Sequence, residues 1–305
     1  MTEIVDPSGG ALEPDAGRLQ ASREARNQRQ EQRMATRAAE KDGSAEEAAP
    51  PAVAIIIPYR NRRPHKAVFL HHMPHILKSL DYRIFFLHQA DRRAFNRGAM
   101  KNLGFLLLKR MYPSTYRNIT LVFHDIDFMP YKEGQFSYET RPGVINHFFG
   151  YKESLGGIFA IKAGDFERTG GFPNYWTWGA EDNALMVRAR ASRLAIVYPQ
   201  FVHGETGVGE MVSLWHGWDR LISPKTGNNF RLGNKKNGHS YIYDISLAQE
   251  AVGERAVIAH VKHFKVAQPH RDGIAGAVVT NSRYHRYALF PAARKKRQQF
   301  GMAMT

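Results

Sequence analysis

Leu121-Val122-Phe123-His124-Asp125-Ile126-Asp127-Phe128-Met129-Pro130 decides the fold. Its first three apolar residues predict a short buried strand that ends in two acids on either side of Ile126. Side chains alternate across a strand, but a chain begins to turn where a strand ends, which lets both carboxylates face one crevice. In open α/β sheets, ligands bind in the crevice at the carboxyl ends of the strands. Hard oxygen ligands there suit Mg²⁺ or Mn²⁺, and such an ion suits a diphosphate. The same acids also fit a solvated turn, where Asp is common. The stretch alone leaves both readings open.

Working outward, Val53-Ala54-Ile55-Ile56-Ile57 is a continuous apolar run of the kind buried on both faces of a parallel sheet. Pro58 is expected to stop it, and Tyr59-Arg60-Asn61-Arg62-Arg63 then brings guanidiniums to its carboxyl end, with a Tyr ring able to stack on a base. Residues 65–79 read as an amphipathic helix with Val68, Phe69, Met73, Ile76 and Leu77 on one side. A strand over 82–87 follows, and Phe95-Asn96-Arg97 leads into a helix. Strand, helix, strand, helix, strand predicts a doubly wound α/β fold with a mostly parallel sheet. Its strand ends would gather Arg60, Arg62, Arg97, Asp125 and Asp127, a mixture that makes sense around a metal diphosphate.

Leu155-Gly156-Gly157-Ile158-Phe159-Ala160-Ile161 reads as a further strand entered through two glycines, which permit close backbone approach. Gly170 to Asn183 packs Phe172, Tyr175, Trp176 and Trp178 ahead of Glu181 and Asp182. Rings offer platforms for sugar faces, and an adjacent acid can take a proton from a hydroxyl. The same residues also fit an aromatic core cluster followed by the acidic first turn of a helix over 182–192. Residues 203–219, with Gly204, Gly207, Gly209, Trp215, His216 and Trp218, predict a mobile loop of the kind that closes over substrate. His260 and His263, around a last apolar strand at 256–261, read as structural.

Composition bounds the function. The 305 residues contain no cysteine, which excludes disulfides and thiolate metal sites and fits a reducing compartment. No apolar run approaches the roughly 20 residues that span a bilayer, and the N-terminus has no signal-peptide core. These features predict a soluble, cytoplasmic protein without a transmembrane segment. A net charge of +15 requires anionic company: nucleic acid, a membrane surface or phosphorylated ligands. No nucleic-acid motif is present, so the charge is assigned to phosphate ligands or an acidic acceptor. Three segments are expected: 1–50 as a disordered or partly helical extension, 51–268 as the globular domain, and 269–305 as a basic segment in which Arg294-Lys295-Lys296-Arg297 reads as solvated tail.

Taken together, Val53–Arg62, Phe95–Arg97, His124–Pro130, Gly156-Gly157 and Gly171–Asp182 resemble, in order and spacing across about 53–263, the β1,4-galactosyltransferase family of inverting glycosyltransferases. Pro-Tyr-Arg-Asn-Arg, then Phe-Asn-Arg, then Trp-Gly-Ala-Glu-Asp carry most of the resemblance. It implies a GT-A fold, a UDP-sugar donor, Mn²⁺ (with Mg²⁺ as the alternative ion) and a glycan or glycoconjugate acceptor. By the same resemblance, Pro58, Tyr59, Arg60, Arg62, Phe95 and Arg97 hold the uridine diphosphate, with Asp125 supporting. Asp127 and His216 are implied as metal ligands. The family's Met ligand falls on Ser213, with Met211 close by. Trp178 is implied to touch donor and acceptor, and Asp182 to be the catalytic base with Glu181 beside it. Ser154 stands where the family usually has a Tyr that limits donor size, before Leu155-Gly156-Gly157, which implies room for UDP-GalNAc or UDP-GlcNAc beside UDP-Gal. Two other classes remain open: a non-catalytic sugar- or nucleotide-binding protein on the same fold, and a basic polyanion-binding protein.

Overall fold

A computed structural model describes residues 49–215, 217, 219–222, 237–267, 270, 274 and 276–281. The chain divides into two units, Met1–Ala48 and Ala49–Thr305. The first unit lies outside the described residues, as do His216, Trp218 and the cluster at 294–297. In chain order the elements are β1 (Val53–Tyr59), α1 (Arg63–Ile76), β2 (Tyr82–Gln89), α2 (Arg97–Met111), β3 (Thr120–His124), β4 (Phe128–Pro130), β5 (Val144–Gly150) and β6 (Ile158–Lys162). There follow α3 (Ala163–Thr169), α4 (Glu181–Ala191), β7 (Ala195–Val197), β8 (Val202–His203), β9 (Met211–Ser213), β10 (Asp219–Ile222), β11 (Ile242–Gly253), β12 (Ala256–Val266) and β13 (Val278–Asn281).

The main sheet runs β11-β12-β2-β1-β3-β6-β5-β7, with β8 also on β5. β12, β2, β1 and β3 are mutually parallel, and β6 reverses direction against both β3 and β5. Every residue of β1 is buried because the strand lies inside the sheet with helices on both sides. Its even residues Ala54 and Ile56 join the core beneath α2, α3 and α4, where Phe123 packs on Phe159, Phe166 and Phe172. Its odd residues Val53, Ile55, Ile57 and Tyr59 join a second core with Phe69, Met73 and Phe86 on the α1 face. That two-residue alternation is the strand period expressed as two cores.

Several boundaries differ from the expectation, each for a local reason. Pro58 sits within β1 rather than ending it. Val53 N–H points to β2, donating to Asp81 O at 3.0 Å, so even residues present their amide position to β3. The β3 ladder ends at Ile56–Phe123, so at Pro58 no N–H is required on that side. α1 begins at Arg63 with Pro64 in its first turn, where a missing N–H costs nothing. Val68, expected on the apolar side, is 40% exposed, because the inward stripe runs through Phe69, Met73 and Ile76 and Val68 lies off it. β6 begins at Ile158, leaving Leu155 to Gly157 as its lead-in. β11, an edge strand whose residues are mostly exposed, extends the sheet where no apolar pattern announced a strand.

Phe123→Ala is expected to cost about 3–5 kcal/mol by leaving a cavity among three rings, whereas Val68→Ala should stay within about 0.5 kcal/mol. Urea unfolding followed by circular dichroism checks both.

Candidate active site

The site is built on the first turn of α2. Asn96 caps that helix, its Oδ1 accepting from Ala99 N at 2.9 Å while its Nδ2 donates to Asn174 O at 2.9 Å. Gly98 lets the turn lie against the 172–173 backbone, since a Cβ there would stand 2.1 Å from Pro173 O. Arg97, the first helical residue, is thereby aimed across the carboxyl end of β3. It donates through Nη1 to Glu181 Oε1 at 2.5 Å and through Nη2 to Asp125 Oδ1. One guanidinium therefore ties together α2, the end of β3 and the start of α4, with Glu181 buried and Arg97 and Asp125 partly so.

Shielding decides the charges. Burial pushes the Asp125 carboxyl upward, but the Arg97 and Lys101 cations outweigh it and hold the group below its ordinary range. Asp182, the next residue after the clamped Glu181, is pushed up to about 6, first by burial and then by the Glu181 carboxylate, against the pull of Arg97 and Lys101. Its backbone carbonyl accepts from Leu155 N at 3.1 Å, and Asn183 N donates to its Oδ1 at 2.9 Å. Gly156 faces the carboxylate so closely that a Cβ would lie 2.5 Å from Asp182 Oδ2. Gly157, at φ +71, is pressed against Phe149 O. The chain enters α4 through left-handed residues, Thr177 at φ 78 and Ala180 at φ 65, a strained approach of the sort found at functional sites. His124, buried one residue before Asp125, is pushed down to about 4 by burial, with its Nδ1 at 2.8 Å from Asp125 O. It is neutral at physiological pH.

The residues expected to hold a donor lie around this cluster in varied states. Pro58 and Tyr59 end β1, and the Tyr59 ring is buried edge-on against Phe86 and His88 rather than presented as an open platform. Arg60 donates to the carbonyls of Arg93 and, at 3.1 Å, Asp91, holding the loop between β2 and α2. Arg62 occupies the N-terminal cap position of α1, where its side chain makes no capping hydrogen bond. Phe95 packs on the core, and its carbonyl accepts from Thr177 N at 3.1 Å. Trp178 is 38% exposed, with its N–H donating to Leu221 O at 2.8 Å, whereas Trp176 is core, stacked on Phe264. Ser154 is buried beside the Gly156 turn, its N–H donating to Tyr151 O at 3.1 Å.

Asp127 immediately precedes β4, and β4 pairs with β9 so that Phe128 faces Ser213 and Leu214 N donates to Asp127 O at 2.8 Å. The pairing carries the chain that leads to residue 216 alongside Asp127. A carboxylate and an imidazole are a donor set that fits Mn²⁺. Residue 216 itself lies outside the described residues, and among those described no three His, Asp or Glu gather as a metal group. Met211 is buried in the α1-side core, with Gln135 Nε2 donating to its sulfur at 3.7 Å. Over 203–215 the segment expected as a mobile loop contains β8, a short 3₁₀ turn and β9. Gly207 serves close packing, since a Cβ there would stand 2.6 Å from Val202 Cγ1, whereas a Cβ at Gly209 would meet nothing within 4 Å.

Two groups escaped the sequence reading. Lys101 is 1% exposed and has no hydrogen-bond partner among the described residues, its Nζ lying 4.5 Å from the Phe172 ring centroid. The signal was present, since Lys101 follows Arg97 by one helical turn on the same face. Arg93 lies against both the Trp176 and Phe264 rings and is ion-paired to Asp91, bracing the loop that Arg60 grips.

The family described as the N-terminal region of glycosyl transferase group 7 matches residues 16–139, and the N-terminal domain of galactosyltransferase matches 145–216. Mouse β1,4-galactosyltransferase 4 is 31% identical over 198 residues, covering 60% of this chain and 52% of the relative. Human β1,4-galactosyltransferase 1 is 32% identical over 198 residues, covering 61% and 48%. The chain thus spans about half the length of the curated relatives it matches. The catalytic domain of Drosophila β1,4-galactosyltransferase 7, solved with xylobiose, superposes with a TM-score of 0.59 at 25% identity, over 69% of this chain and 93% of that one. A variant of the same Drosophila enzyme, solved with manganese, UDP-Gal and xylobiose, gives 0.55 at 23% identity over the same shares. The GT-A fold is thereby established.

One expectation is corrected by these relatives. Family members are Golgi-resident type II membrane enzymes, so the cytoplasmic location inferred from composition does not stand. Missing cysteines and apolar runs describe side-chain chemistry and do not report a cellular address. Among the described residues no helix is long and apolar enough to cross a membrane.

The raised proton affinity of Asp182 has a measurable thermodynamic sign. A carboxyl whose folded value exceeds its unfolded one stabilises the fold at low pH and loses that contribution as pH rises through about 6. Asp182→Asn should therefore raise the urea midpoint at pH 8, and the gain should fade towards pH 4; an equal gain at both pH values would contradict the assigned environment.

Proposed function

The chain belongs to glycosyltransferase group 7, the β1,4-galactosyltransferase family, and from that premise we propose that it moves a hexose from a UDP-sugar to a hydroxyl of a glycan or glycoconjugate, with inversion. The observation that carries this reading is a carboxylate of raised proton affinity, Asp182, next to the Arg97-clamped acids at the carboxyl end of β3. A base must be ionised at working pH yet avid enough to take a proton as it leaves, and a value of about 6 meets both demands.

In this reading the acceptor hydroxyl attacks the anomeric carbon and gives its proton to Asp182, while the bond from that carbon to the diphosphate oxygen breaks and UDP departs. Asp127 and His216 would hold Mn²⁺, which supplies positive charge against the leaving diphosphate. Manganese and UDP-Gal occupy the Drosophila relative's variant, which supports the same ion and donor class here. Pro58, Tyr59 and Arg62 form the donor wall at the end of β1. Arg60 contributes by bracing the 91–93 loop, and Arg97 by fixing Asp125 and Glu181. Trp178, half-exposed ahead of the acids, offers a ring to donor and acceptor. Gly156 and Gly157 bring backbone close to the base, and Ser154 sets the size of the donor sugar pocket beside them.

Turnover of a UDP-sugar panel, with Mn²⁺ or EDTA, tests the assignment. Metal-dependent release of UDP from one or two UDP-hexoses is expected, lost in Asp127→Ala and lowered at least about 10²-fold in Asp182→Asn. No turnover and no metal-dependent UDP binding would overturn it, and near-normal rates in Asp182→Asn would remove the base. Ser154→Tyr is expected to narrow donor use towards UDP-Gal; unchanged preference would refute the size argument.

A further inference from the structure

The most unusual group near the crevice is Lys101. It stands one turn after Arg97 on α2, sealed from solvent, with no hydrogen-bond partner among the described residues and its ammonium 4.5 Å from the Phe172 ring centroid. A lysine stem can lie in a core, but its head normally snorkels to water or finds an acceptor. A buried, unbonded ammonium survives only where surrounding charge repays its desolvation.

The charges facing it come from three elements. Arg97 stands on its own helix, Asp125 at the turn after β3, and Glu181 and Asp182 at the start of α4. The same groups face Asp182, where Glu181 raises proton affinity and Arg97 and Lys101 oppose it. Arg97 is committed to two of these acids, donating through Nη1 to Glu181 and through Nη2 to Asp125. Three carboxylates thus meet one committed guanidinium, and the remaining negative charge falls on Asp182. Lys101 is the second cation, after Arg97, that acts on both Asp125 and Asp182.

Resting on the transferase reading above, we propose that Lys101 is a positioning residue for the transfer: a sealed ammonium that balances the third carboxylate and keeps Asp182 ionised to receive the acceptor's proton. It acts through space on the base and touches no substrate. Its burial is part of the device, because a charge in a low-dielectric interior acts far more strongly than one screened by water. Burial and the neighbouring Arg97 push Lys101 itself down to about 8, so it stays largely protonated at neutral pH.

The test is K101M, which keeps the stem and removes the charge. Carboxyl ¹³C NMR titration of aspartate-labelled protein, with the Asp182 signal assigned by its loss in D182N, reads the base without turnover. Loss of a neighbouring cation is expected to raise the Asp182 midpoint by about 1 unit or more. The acid limb of kcat/KM should move upward with it, while kcat/KM at pH 9 stays close to wild type. An unchanged midpoint in folded K101M would overturn the proposal. Should K101M not fold, the reciprocal measurement decides: Lys101 in D182N must titrate below its wild-type value, and an unchanged value would overturn it equally. An Asp182 midpoint that shifts in a protein with neither UDP-sugar turnover nor metal-dependent UDP binding would uphold the coupling and refute the transferase reading, so the two fail separately.

Discussion

Arg97 is the interaction on which the rest of the site depends. A guanidinium forks in one plane, and here its two arms reach acids that are far apart in the chain, Asp125 and Glu181. Glu181 is buried, whereas Arg97 and Asp125 keep 19% and 22% of their side-chain surface exposed, so Glu181 is the carboxylate that least tolerates loss of the partner. Breaking a buried pair by removing one member typically costs about 3–5 kcal/mol because an uncompensated charge is left behind. The clamp therefore sets the distance between the end of β3 and the start of α4, and the crevice takes its width from one side chain.

The surrounding scaffold makes that clamp reproducible. The Asn96 cap and Gly98 fix where α2 begins and how closely it approaches the 172–174 backbone. Phe172 is itself the hub that packs on Phe123, the last apolar residue of β3 before His124. Core and site thus share a wall, and Lys101 meets both, with its ammonium 4.5 Å from the Phe172 ring centroid and its charge acting on the acids. This arrangement couples packing of the core to the protonation of Asp182, so the two properties do not vary independently.

What could be read from sequence follows from what is local. The continuous run at Val53–Ile57 and the apolar-then-acid pattern at Leu121–Asp127 announced β1, β3 and the crevice because strand burial and strand ends leave direct marks. Glu181 and Asp182 were legible as a helix start, their acids falling in the first turn of α4. Partnership was not legible. Nothing local tells Arg97 that it will meet Glu181 rather than a phosphate, or turns the Tyr59 ring edge-on into a core. Val68 followed the apolar trend of its helix yet faces outward, since hydrophobicity marks a stripe only to within a residue. β11 gave no sign because an exposed edge strand has little apolar alternation to show. Lys101 was passed over because charged residues in an amphipathic helix are assigned to solvent by default.

Gly156 and Asp182 also form a single unit of sequence change. The space that a side chain at 156 would need is the space in which the Asp182 carboxylate stands, 2.5 Å from the position of the missing Cβ. No substitution at 156 is neutral while the acid keeps its place, and a longer acid at 182 has no volume to extend into on that side. A route to a base of different reach, whether in divergence or in engineering, must first move the turn between β5 and β6. That turn carries Ser154 as well, so altering the reach of the base and altering the room beside the donor sugar draw on the same few residues.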